Sequence, residues 1–184
     1  MSEEFTVLKH EVIYTGRVFR VERDEVRHRT GYRSVRECVV HDGGAVICPV
    51  FSNGDILLIR QYRYPVDRHI LEFPAGKLQQ DEPPAECATR ELEEETGYRA
   101  TRLIGLGSMY TTPGYSSEVL YLFAACELEA GKQNLESGEE SITTIRVPFP
   151  EAEEMVKDGR IMDGKTIAAL YRAKLLPEIA GRQR

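Results

Sequence analysis

The sequence has no tryptophan and only six phenylalanines, so any aromatic platform for a ligand must come from phenylalanine or tyrosine. Its four cysteines, Cys38, Cys48, Cys87 and Cys126, stand singly. Without a C-x-x-C pair there is neither a structural zinc site nor a redox motif, and the cysteines read as small buried hydrophobes suited to a reducing compartment. The four histidines, His10, His28, His41 and His69, fall in predicted strands or turns with no motif around them. No apolar run reaches the roughly 18 residues of a membrane span. The amino terminus, MSEEFTVLKHEV, lacks the basic stretch and apolar block of a secretion signal, which leads us to expect a cytoplasmic protein with no membrane partner. Basic charge is also in deficit. With 24 Lys+Arg against 30 Asp+Glu the net charge is −6, which disfavours a nucleic-acid polymer as partner. An acidic chain that handles an anionic substrate needs local arginines or metal ions.

What is present is an ordinary globular composition, 41% hydrophobic and 29% charged over 184 residues, enough for one domain with an elaboration at one end. Residues 4 to 41 alternate as strands, with a turn at Thr30-Gly31, and predict a small antiparallel meander. From Ala45 to Phe51 the chain is almost continuously apolar, Asn53-Gly54 is a strong hairpin signal, and Asp55–Ile59 returns. Further strands are predicted at 69–73, 101–108, 118–126 and 141–147. Three helices are predicted: Pro84–Thr96, opened by proline and closed by Gly97; Glu151–Lys157; and Lys165–Leu176, with Ile167, Leu170, Tyr171 and Lys174 or Leu175 on one stripe. This order argues for α+β or mixed α/β layers.

Arg90-Glu-Leu-Glu-Glu-Glu-Thr-Gly-Tyr98 breaks two local rules. Glu91, Glu94 and Glu95, spaced i, i+3, i+4, crowd like charges onto one face. They also lie at the helix end where the macrodipole is negative. Such a conflict is expected where function overrides stability, and a divalent cation would turn the repulsion into binding. Hard cations such as Mg²⁺ favour oxygen ligands of this kind. The helix spacing alone also allows a solvated acidic face.

Upstream, Gly76-Lys-Leu-Gln-Gln-Asp-Glu82 is followed by seven residues and then Arg90–Tyr98. This resembles the Nudix box, G-x5-E-x7-R-E-U-x-E-E-x-G-U, at every fixed position, with the aromatic Tyr98 where the final aliphatic residue usually stands. The resemblance implies that Glu91, Glu94 and Glu95 bind Mg²⁺ or Mn²⁺ together with the main-chain carbonyl of Ala75. Glu82 and Arg90 would then hold those ligands in place. Gly76 is expected to let the loop after strand 69–73 turn tightly.

The likeness continues from about Tyr14 to Leu176. Ile59-Arg-Gln-Tyr-Arg-Tyr-Pro65, then Leu71-Glu-Phe-Pro-Ala-Gly76, and Pro113 standing 16 residues after Gly97, resemble the ADP-ribose pyrophosphatase branch. Pro113-Gly114 reads equally as an ordinary turn by itself. For the diphosphate, Arg63 is the first candidate by resemblance and Arg36 the second, with a sheet-edge charge the competing reading of Arg36. Phe19 or Tyr14 would have to stack on adenine, against an expectation that both pack in the core. The resemblance also implies a glutamate in a loop before a late strand, acting as the base for water or as an extra metal ligand. Glu140 matches it best, with Glu139 beside it, and these two join Glu94 in the catalytic set.

The implied fold is the Nudix α/β/α sandwich with a mixed sheet over residues 43–184, preceded by a β-rich segment over 1–42 that pairs the chain into a homodimer. The implied reaction is metal-dependent hydrolysis of ADP-ribose to AMP and ribose 5-phosphate. GDP-mannose or another nucleoside diphosphate sugar is the alternative substrate. A non-catalytic ADP-ribose sensor is the third reading, disfavoured by an intact box and by the few residues after Leu176.

Overall fold

The structure, a computed structural model, describes residues 4–135, 137 and 140–181. The chain divides into two compact units, Met1–Gly43 with Tyr110–Val119, and Gly44–Met109 with Leu120–Arg184.

In the first unit, β1 (Phe5–Thr15), β2 (Arg20–His28) and β3 (Arg33–Val40) form the predicted antiparallel meander. Gly31 makes the β2–β3 turn at φ 91°, where a side chain would be strained. Val26 is buried, yet every residue of β1 is exposed, including Phe5, Val7, Leu8, Val12 and Ile13. These residues leave apolar surface along an edge strand whose register is broken between Val7 and Lys9 and between Val12 and Tyr14. Tyr14 and Phe19 are not core residues. They are 54% and 42% exposed and lie against each other with ring centroids 6.0 Å apart. The short loop between them gives their rings no second layer to sink into, so they cover one another. The segment with Pro113 joins this unit through backbone hydrogen bonds, Val39 N–H to the Tyr115 carbonyl (2.7 Å) and Ser117 N–H to the Val39 carbonyl (3.0 Å).

The second unit contains β4 (Gly44–Pro49), β5 (Asp55–Arg63), a 3₁₀ turn at Tyr64–Val66, β6 (Arg68–Glu72), β7 (Ala75–Lys77), α1 (Pro84–Thr96), β8 (Tyr98–Tyr110) and β9 (Val119–Ala130). It closes with β10 (Thr143–Pro148), α2 (Phe149–Lys157), α3 (Gly164–Lys174) and α4 (Pro177–Ala180). One sheet has the order β7-β4-β9-β8, mixed because β4 runs parallel to β9 and antiparallel to β7; the other has the order β10-β5-β6. The apolar run after Gly44 is explained by β4, which is buried on both faces. Ala45 and Ile47 pack with Cys87, Ala88 and Leu92 of α1, whereas Val46 and Cys48 pack with Ala169, Leu170 and Ala173 of α3. Period-two alternation thus places a helix layer on each side of the sheet, the α/β sandwich.

Cys48, Cys87 and Cys126 are buried as expected, and Cys38 is half-buried. The last helix differs from its prediction. It stops at Lys174, Pro177 opens a separate short helix, and the buried stripe is Thr166, Ala169, Leu170 and Ala173, with Tyr171 63% exposed. Small residues face the sheet here because β4 approaches closely, and the larger side chains turn outward.

Candidate active site

Helix α1 begins and ends where its local signals put it. Proline occupies its first turn, and Gly97 closes it in the left-handed conformation at φ 74°, its N–H bonded to the Glu93 carbonyl (2.8 Å). Its last turn carries no basic residue. The repulsion among the glutamates is met by Arg90. Nε and Nη2 of Arg90 donate to the two carboxylate oxygens of Glu82 at 2.8 and 3.0 Å, and Nη1 donates to Glu91 (2.7 Å) and Glu94 (3.0 Å). Nη2 also reaches the Lys77 carbonyl at 3.2 Å. One guanidinium therefore ties the loop before the helix, the strand β7 and two of the three crowded carboxylates together. The bidentate bond from Arg90 pulls the Glu82 carboxyl down to about 2, and its carboxylate partners hold the Arg90 charge firmly in place.

Gly76 lies in β7 and has no left-handed backbone, so the expected tight turn is not its reason. A Cβ at this position would stand 1.8 Å from Cδ and Oε1 of Glu91. Glycine is required because the carboxylate and the strand backbone occupy adjoining space. Glu95, 1% exposed, accepts a hydrogen bond from the Ala75 N–H at 2.9 Å. The backbone at Ala75–Gly76 and the carboxylates of Glu91 and Glu95 are thus brought side by side, and Glu94 is joined to Glu91 through Arg90.

This donor set is all oxygen and anionic, the chemistry that suits Mg²⁺ or Mn²⁺. The space against Gly76 is kept clear for one of its carboxylates. Among the described residues no group of three or more His, Cys, Asp or Glu side chains is arranged to hold an ion, and Arg90 and the Ala75 N–H bond the glutamates instead. The residues fit a divalent cation by chemistry, and their present contacts keep them close to one another.

Arg63 ends β5, and its Nε and Nη2 donate to the two oxygens of Glu72 at 2.8 and 2.9 Å. Burial is the largest single influence and works against its charge, but the Glu72 hydrogen bonds together with the negative charges of Glu72, Glu95 and Asp163 outweigh it and raise its pKa. Two residues earlier on the same face, the Gln61 side-chain oxygen is buried with no hydrogen-bond partner among the described residues. Arg36, Phe19 and Pro113 belong to the first unit. Arg36 is exposed on β3 over the Phe5 ring, 5.3 Å from its centroid, and Pro113 is exposed in the turn beside β3. Glu140 is exposed in the turn before β10, and Glu139 lies outside the described residues.

Sequence reasoning quoted Glu72 within Leu71–Gly76 but gave it no role, and it missed Asp163, Lys165 and Thr166. Lys165 donates to the fully buried Glu72 and lies 3.0 Å from Asp163. Asp163 caps α3 by accepting from the Thr166 N–H (3.0 Å), and Thr166 Oγ1 accepts from the Phe73 N–H (2.8 Å). The one available signal was Asp163-Gly-Lys-Thr166 at a helix start, which reads as a cap and nothing more.

Comparison with known proteins places this geometry in context. A family model described as the NUDIX domain matches residues 41–170. The chain is similar to an ADP-ribose pyrophosphatase of Bacillus subtilis, 37% identical over 94% of each chain. It is also similar to a GDP-mannose pyrophosphatase of Yersinia enterocolitica, 38% identical over 79% of this chain and 81% of that protein. Among solved structures, one described as an ADP compounds hydrolase superposes with a TM-score of 0.86, at 26% identity, over 97% of both chains.

Proposed function

From the premise that the chain belongs to the NUDIX domain family and is one of its hydrolases, we propose that it cleaves the diphosphate of ADP-ribose into AMP and ribose 5-phosphate. The observation that carries the reading is the single Arg90 guanidinium gathering Glu82, Glu91 and Glu94 next to the backbone of Ala75 and Gly76. That arrangement stabilises a cluster of negative charge no isolated helix would assemble, on a chain whose relative hydrolyses ADP-ribose by name.

In this reading Glu91, Glu94, Glu95 and the Ala75 carbonyl would hold Mg²⁺ or Mn²⁺, which would supply water activation and charge neutralisation. Arg90 and Glu82 keep the ligating carboxylates oriented. Arg63 offers the guanidinium edge away from Glu72 to phosphate oxygens, and Gln61 supplies an acceptor on the same strand face. For Arg36, Phe19 and Pro113, all in the first unit, a part in binding diphosphate, base and substrate loop rests on the family resemblance alone. Glu140, aided by Glu139, takes the proton from the attacking water. The exposed apolar residues of β1 support a homodimer formed through the first unit. Among the described residues no helix is long and apolar enough to cross a membrane, and singly spaced, mostly buried cysteines fit the reducing cytoplasm.

The similarity to a GDP-mannose pyrophosphatase favours a second reading, in which the same machinery acts on GDP-mannose or another nucleoside diphosphate sugar. Purified protein incubated with Mg²⁺ and each substrate, with products separated by anion exchange, decides between them. The first reading expects the highest kcat/KM for ADP-ribose; a wide margin in favour of GDP-mannose overturns it.

A further inference from the structure

Glu72 is fully buried, and a buried carboxylate is tolerated only when its charge is matched by close, well-directed donors. It has two cationic partners from opposite directions along the chain. Arg63 approaches from the neighbouring strand β5 with a two-pronged bond at 2.8 and 2.9 Å, and Lys165 approaches from the first turn of α3. Lys165 is itself only 15% exposed and is anchored a second time by Asp163 at 3.0 Å. Asp163 is fixed in turn by the Thr166 N–H and hydroxyl at 3.0 and 2.6 Å, and the same hydroxyl receives the Phe73 N–H at 2.8 Å. The chain Arg63–Glu72–Lys165–Asp163–Thr166–Phe73 therefore returns to the backbone next to Glu72, just past the end of β6.

The Arg63 side chain remains 37% exposed, and its Nη1 has no hydrogen-bond partner among the described residues. Two N–H groups are committed to the inner anchor and the outer edge of the planar fork is left open. A guanidinium is rigid in its plane, so fixing one edge fixes the direction of the other. A flexible arginine must lose rotamer freedom on binding a phosphate, whereas an anchored one has already lost it.

We propose that Glu72 and Lys165 are positioning residues for substrate binding. They act through Arg63 by holding its free guanidinium edge in one orientation toward the diphosphate, with the first turn of α3 as the mechanical support. The inference rests on the reading of Arg63 as a phosphate-binding group.

The test is steady-state kinetics on full-length Arg63→Ala, Glu72→Gln and Lys165→Met, the double variant Arg63→Ala/Glu72→Gln, and Lys165→Arg, with a melting curve for each. Glu72→Gln and Lys165→Met keep side-chain volume, and the Asp163 cap of α3 is untouched, so folded protein is expected. Arg63→Ala should raise KM for ADP-ribose about 10-fold or more, as expected for loss of a charged hydrogen bond. Glu72→Gln and Lys165→Met should each raise KM several-fold with little change in kcat, and Lys165→Arg should restore it. In the Arg63→Ala background, Glu72→Gln should change KM by less than about twofold, because residues acting through one another are not additive. If Arg63→Ala raises KM while Glu72→Gln and Lys165→Met alter only the melting temperature, the network is structural and the inference is overturned with the phosphate reading intact. A fully additive double variant overturns it equally. If Arg63→Ala itself leaves KM unchanged for every active substrate, the phosphate reading fails first.

Discussion

Replacing Gly76 by alanine would place a methyl group 1.8 Å from Cδ and Oε1 of Glu91. Nonbonded carbons rest about 3.5–4.0 Å apart, so the carboxyl must retreat by about 2 Å. It cannot do so and keep its 2.7 Å bond to Arg90 Nη1. Loss of a hydrogen bond to a charged group costs about 1.5–3 kcal/mol, partly returned as the freed carboxylate meets water, which leaves about 1–3 kcal/mol of destabilisation. For a chain of this size that lowers Tm by about 2–12 °C. The effect on activity should be larger than on stability, since displacing a catalytic group by about 1 Å can cost about 100-fold. The assay is a melting curve without metal beside kcat and KM at saturating Mg²⁺. A Gly76→Ala protein with unchanged Tm and full kcat would refute the close approach of Glu91 to the strand.

Glu95→Gln should leave the metal-free Tm unchanged or slightly higher, by relief of like-charge repulsion, while kcat falls by at least about 100-fold; near-normal turnover at saturating Mg²⁺ sinks its ligand role. Glu140→Gln should lower kcat by about 10²–10⁴-fold with substrate binding retained, and Glu139→Gln should do less, measured side by side across pH; the reverse order shows Glu140 to be the wrong choice. Because the folded Glu82 carboxyl is held at about 2, below its ordinary 4.5, its contribution to stability is present above pH 4.5 and lost as pH falls toward 2. Glu82→Gln should therefore flatten that part of the acid unfolding curve, and an acid limb unchanged by the substitution removes the Glu82–Arg90 pair as its cause.

The N-terminal meander and the Pro84–Thr96 helix were legible because their signals are local. Alternation, a turn glycine, an opening proline and a closing glycine each act within a few residues of themselves. The last helix was placed but misphased. Of the predicted stripe, Leu170 is buried and Ile167 packs against the core, but Tyr171 and Leu175 are exposed and Ala169 and Ala173 take their place, because close helix–sheet packing favours small side chains. The expectation that Tyr14 and Phe19 are core residues failed for a related reason, since an apolar ring is buried only if another layer exists to cover it.

By itself the sequence determined the presence of the box, the identity of the three clustered glutamates and the helix that carries them, since these follow from spacing along one turn-forming segment. Only the tertiary structure decided why position 76 must be glycine, how one arginine offsets the clustered charge, and that Lys165 lies against Glu72, 93 residues away. Those facts depend on which backbones approach each other and on which charges share a buried space. No period or spacing along the chain encodes them, because they arise when separate strands and helices close over the same volume.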